Sequence, residues 1–173
     1  VLFRSDESLD DYTTGPADGA ICGLLAERAL VRGAWIAPAN QVLRDVIALE
    51  PAVALDMRLL LQRAGINLVR QEPRGFMVLS ADTLSQAADL RPINVRRLLI
   101  LLRRLALREG SRYVFEPNNQ AFRRLVQTGF ETLLENLYVR GAFAGATAAD
   151  AYRVITDETV NPPRSVEQGR FIV

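Results

Sequence analysis

From Phe122 onward apolar side chains recur at intervals of three and four: Phe122, Leu125, Val126, Phe130, Leu133, Leu134, Leu137 and Tyr138. A helix of 3.6 residues per turn gathers those positions on one side, so the spacing predicts a long helix with one wide buried face over about five turns. Asn118 and Asn119 precede it as capping and turn residues, and Gly141 ends it. Similar periodicity predicts a helix from Pro16 to Val31, a second over Ala54 to Ala64 stopped by Gly65, and a third from Asn94 to Arg108 stopped by Gly110. Short β-prone runs lie between them. Val42 to Leu49 reads as one strand, 66–70 and 76–79 as a hairpin or neighbouring pair, and Tyr113-Val114-Phe115 and Tyr152 to Ile155 as further strands. Gly33 to Asn40 is a loop in which Trp35 serves as a core plug, Thr147 caps one further helical turn, and 160–164 is irregular. The pattern predicts an α/β (α+β) fold, a small mixed β-sheet flanked by about four helices, with the 118–140 helix central to packing.

Composition then removes most chemistry. The 173 residues carry 49% hydrophobic and 24% charged residues, a globular balance with room for a sizeable core. The longest apolar run, Leu98 to Leu102, falls far short of the about 18 residues a membrane span needs, and no signal-peptide pattern opens the chain, so a soluble protein is expected. All 21 basic residues are arginine and there is no histidine. Histidine acid–base catalysis, Ser-His-Asp triads, histidine metal sites, lysine Schiff bases and the phosphate-loop lysine are therefore ruled out. A net charge of +1 gives no bulk attraction to nucleic acid. The lone Cys22, between Ile21 and Gly23, is expected as a small buried side chain.

Residues 1–15 stand apart. Val1-Leu2-Phe3-Arg4-Ser5 matches the in-frame translation of a common DNA-sequencing adapter, and residues 6–16 are acidic and rich in turn formers. Residues 1–15 are therefore expected as artefact and linker, and 16–173 as the domain proper.

Several segments, in order, resemble the C-terminal part of the phage tail sheath family, which includes the sheaths of contractile injection systems. They are Pro16-Ala17-Asp18-Gly19-Ala20, the run from Gly33 to Asn40, Ala64 to Arg70, Ile93-Asn94-Val95-Arg96-Arg97, Phe115-Glu116-Pro117-Asn118-Asn119, Gly141-Ala142-Phe143, Asp157 to Pro163, and Gly169-Arg170. Ala81 to Leu84 and Ala87 to Leu90 depart from the family, whose members usually carry an aromatic and an arginine there. The resemblance implies a structural subunit, truncated at both ends, that forms stacked rings around an inner tube and contracts to drive it. It also implies homo-oligomeric partners linked by strand-adding terminal arms, an inner tube protein as a second partner, no cofactor, and a place in a virion tail or a cytoplasmically assembled injection particle.

The residues offer one interaction site. At 100° per residue, Arg96, Arg97, Arg103, Arg104 and Arg108 fall within about 140° of one another, opposite Leu98, Leu102, Leu105 and Ala106. This cationic face suits an acidic partner, the tube or an adjacent subunit, and equally an ordinary solvated face paired with local carboxylates. No aromatic residues are interleaved for base stacking, so nucleic acid is not expected. Asp150, Asp157 and Glu158 are the residues an enzyme reading would use, and turnover lost on Asp157→Asn would favour it. A non-assembling adaptor would instead bind an acidic protein one-to-one through the arginine helix. Asp6, Glu7, Asp10 and Asp11 lack the glycine and alternation of a calcium loop and read as solvated linker.

Overall fold

The computed structural model describes residues 2–4, 12–50 and 52–173. It divides into two compact units, residues 1–99 and 100–173.

In the first unit, strands β1 (Leu2–Arg4) and β2 (Tyr12–Thr14) pair antiparallel. The helix α1 (Asp18–Arg32) carries Asp18 in its first turn and Arg32 in its last, charges that complement the helix dipole at both ends. Two short strands follow, β3 (Gln41–Val42) and β4 (Val46–Ala48). The helix α2 (Leu55–Arg63) then leads into the hairpin β5 (Val69–Glu72) and β6 (Gly75–Val78). Among the described residues all strand pairs are antiparallel and form two three-stranded sheets, β2-β1-β4 and β3-β6-β5. The buried apolar side chains among the described residues of this unit are Trp35, Leu43, Met77 and Val78, of which Met77 and Val78 lie on β6 where it pairs with β3 and Leu43 directly follows β3. Asn67 fixes the next turn by a reciprocal pair, its amide donating to the Asp82 carbonyl at 2.7 Å and accepting from the Asp82 N–H at 2.8 Å.

The helix α3 (Ile93–Gly110) contains the boundary between the units. The second unit is organised by α4 (Gln120–Val139), whose N-cap Asn119 accepts a hydrogen bond from the Phe122 N–H at 2.9 Å. Phe122, Val126 and Leu137 are buried along it. Phe122 meets Tyr113 and Phe171 edge-on, with centroids 6.0 and 5.0 Å away. At the C-terminus of α4, Gly141 takes φ 76° while Ala142 N–H bonds the Leu137 carbonyl, the left-handed stop the sequence predicts. Two short helices complete the described residues, α5 (Ala148–Ala151), closed by a Thr147/Asp150 capping box, and α6 (Pro163–Glu167).

Four long helices and small sheets bear out the predicted fold class, with two antiparallel sheets among the described residues in place of one mixed sheet, and local differences have physical reasons. The single strand expected over Val42 to Leu49 is broken by Asp45 at φ 60°, which divides it into β3 and β4. Residues 2–4 and 12–14, expected in an unstructured leader, form strands, while 1 and 5–11 lie outside the described residues. Tyr113 closes a 3₁₀ turn rather than a strand, and Tyr152 to Ile155 form no strand ladder among the described residues. Cys22 is exposed, not buried: the half-buried positions of α1 centre on Ile21, Leu24, Leu25 and Arg28, and Cys22 falls at the edge of that arc.

Candidate functional site

The residues expected to bind a partner lie on α3, and the two units use them differently. In the first unit Arg97 folds back. Its guanidinium is half-buried and both terminal nitrogens donate to the Leu25 carbonyl at 3.4 Å, while Arg96 is exposed. In the second unit Arg103, Arg104 and Arg108 are exposed, and none of them makes an ion pair among the described residues. Leu98, Leu102 and Leu105 are partly buried on the opposite side, as the wheel requires, whereas Ala106 is exposed.

The wheel also places Ile100 and Leu107 inside the arginine arc, about 40° and 20° from Arg96. They are 49% and 66% exposed. The face of the second unit is therefore Ile100, Arg103, Arg104, Leu107 and Arg108, an apolar pair ringed by guanidinium groups. An ordinary solvated face places carboxylates near its arginines. This one instead combines open apolar area with guanidinium groups that make no ion pair among the described residues.

Of the three carboxylates of the enzyme reading, Asp150 and Asp157 are engaged in local turns and Glu158 is exposed. Asp150 accepts from the Thr147 N–H at 3.1 Å and its hydroxyl at 2.7 Å. Asp157 accepts from the Thr159 hydroxyl and from its N–H at 2.9 Å, which holds its carboxyl below the usual range. Tyr152 donates to Glu135 at 2.6 Å, and that bond pushes its phenol up to about 12. Among the described residues no group of three or more Cys, Asp or Glu could hold a metal ion. No helix among the described residues is long and apolar enough to cross a membrane.

Sequence reasoning missed two residues. Phe115, read as part of a buried strand, stands fully in solvent at φ 72°. Asn161, read as part of an irregular loop, is completely buried and clamps the end of the chain. Its amide donates to the Ile172 carbonyl at 2.7 Å and accepts from the Ile172 N–H at 2.7 Å, the same reciprocal pairing that Asn67 makes. An asparagine ahead of two prolines was the available signal, since Pro162 and Pro163 have no N–H to offer that segment.

No family model matches the chain. Over 98% of its length it is 30% identical to the tail sheath protein of Vibrio phage KVP40, of which it spans 25%. Its fold is similar to a chain in the helical sheath of the anti-feeding prophage in the contracted state. The identity is 31% and the TM-score 0.86, over 99% of this chain and 48% of that one. A chain in the contracted sheath complex of the extracellular contractile injection system PVC is 29% identical with a TM-score of 0.79, over 88% of this chain and 44% of that one. The present chain thus spans less than half the length of each of these relatives. Likeness in sequence and in fold covers nearly all of it, and the proteins it is similar to are contractile sheath proteins of phage tails and injection systems.

Proposed function

We propose that this chain is part of a structural sheath subunit that assembles into stacked rings around an inner tube and contracts to drive the tube forward. The observation that carries this reading is the likeness, over 99% of the chain, to the contracted helical sheath of the anti-feeding prophage. Large apolar side chains left in solvent support it: Leu30, Val31, Leu55 and Val139 are each more than two-thirds exposed. That is a poor surface for a protein working alone and a suitable one for a subunit covered by neighbours. The role is assembly rather than catalysis. Energy for contraction resides in the lattice, and strands shared between subunits let it slide without coming apart.

On this reading the Ile100, Arg103, Arg104, Leu107 and Arg108 face docks on an acidic surface of the inner tube. Charge complementarity selects the partner, and the apolar pair supplies the desolvated centre. Electron microscopy of the natural gene product, produced together with its neighbouring tube gene, is expected to show helical tubes of stacked rings. Dispersed monomers across salt and concentration would overturn the reading. Arg103→Glu together with Arg104→Glu is expected to leave sheath rings intact but strip them from the tube, and added salt is expected to weaken the same contact in the unmodified protein. A saturable one-to-one complex without self-association would favour the adaptor instead.

A further inference from the structure

Phe115 is held against its own preferences. A bulky residue at φ 72° is strained, and a phenyl ring 102% exposed gains nothing from water. Val114 beside it is 56% exposed. The exposed Glu116 makes no ion pair among the described residues, and Pro117 holds it extended. Together they form a rigid knob with an aromatic tip and a negative shoulder. Strain of this kind persists only where the surroundings impose it, and it points to a bound state in which it is offset.

The first unit carries a cavity of the matching chemistry. It encloses about 440 Å³ and is walled by Ile21, Ile47, Val53, Leu68, Val69 and Phe76. Arg58 and Arg70 also line it, and the buried Nε of each has no hydrogen-bond partner among the described residues. Arg70 pairs with Glu72 at 3.2 Å, Arg58 makes no ion pair among the described residues, and Glu50 is the one carboxylate on the cavity wall. An apolar cavity of about 150 Å³ already admits benzene, so a phenylalanine ring fits here with room for a carboxylate near the guanidinium groups.

We propose that the Phe115 and Glu116 knob of one copy docks in this cavity of a second copy, the ring against the apolar wall and the carboxylate on Arg58. Knob and cavity are different surfaces of one chain, so the contact is head-to-tail and repeats from copy to copy into a ring or an open helix. It rests on the sheath reading and names one contact by which such subunits associate.

The test is sedimentation equilibrium of the full chain in a Cys22→Ser background. Glu116→Arg and Arg58→Glu are each expected to weaken self-association about tenfold, and the double variant, which restores opposite charges across the contact, to recover most of it. Phe115→Gly is expected to weaken association about thirtyfold, as loss of a central aromatic anchor does. The same variant should melt at a higher temperature, since glycine relieves the positive φ, and that shows the fold intact. An associating chain indifferent to all four variants overturns the contact and leaves the sheath reading standing. A chain monomeric even at about 1 mM overturns it as well, and the sheath reading is then decided by the presence or absence of tubes.

Discussion

Asn161→Leu is expected to cost the second unit about 3–5 kcal/mol, read as a shift of the urea unfolding midpoint by circular dichroism. Leucine matches asparagine in branching and heavy-atom count and is the larger of the two, so the loss does not come from a cavity. It comes from three stranded backbone groups. The Asn161 amide donates to the carbonyls of Thr156 at 3.2 Å and Ile172 at 2.7 Å, and accepts from the Ile172 N–H at 2.7 Å. A group left buried without a partner costs about 1–3 kcal/mol, and the two Ile172 groups, on a residue 47% exposed, fall at the low end of that range. The effect spreads further because Ile172 anchors its neighbour Phe171, whose ring packs against Phe122. Glu158→Ala, at an exposed position nearby, is the control and should change stability by less than about 0.5 kcal/mol. A loss below about 1 kcal/mol for Asn161→Leu would show that water enters and replaces the amide, and the clamp would then be dispensable.

Gly33→Ala is expected to destabilise the first unit by about 3 kcal/mol or more, measured as a fall in melting temperature. Two independent reasons act at one atom. Gly33 ends α1 with φ 106° and ψ 155°, a conformation side chains disfavour. A Cβ there would also run into the indole of Trp35, meeting Cε2 and Cζ2 inside van der Waals contact. Trp35 is only 7% exposed and has little room to retreat. Trp35→Phe in the same chain relieves the collision but not the backbone strain, so the double variant should lose less than the sum of the two single ones. Strict additivity would mean that the ring, not the backbone, had already moved aside.

These two positions mark where sequence reasoning stops. Features set by neighbours in the chain were legible: the periodicity of α4, Asn119 as its cap and Gly141 as its stop depend on residues a few places apart. Trp35 as a buried plug was legible from its size and the loop around it. Features that need a distant partner were not. Tyr113-Val114-Phe115 has strand composition, but a strand exists only where another backbone supplies its hydrogen bonds, and three residues say nothing about that backbone. The wheel grouped the five arginines and their apolar neighbours. It had no means of showing that Arg97 reaches the Leu25 carbonyl 72 residues away while Arg103, Arg104 and Arg108 stay in solvent. Asn161 and Ile172 are likewise 11 residues apart, joined by an amide pairing that no local pattern announces.

The placement of the aromatic residues has a practical consequence. The single tryptophan, Trp35, is buried in the first unit, whereas Tyr113, Tyr138 and Tyr152, three of the four tyrosines, belong to the second. Each unit therefore carries its own native chromophore. Indole emission follows one and phenol absorbance the other during a single denaturation, without any label. Coincident transitions would mean that the two units melt as one cooperative body, and separated transitions would give each its own midpoint and assign every substitution above to the unit it weakens.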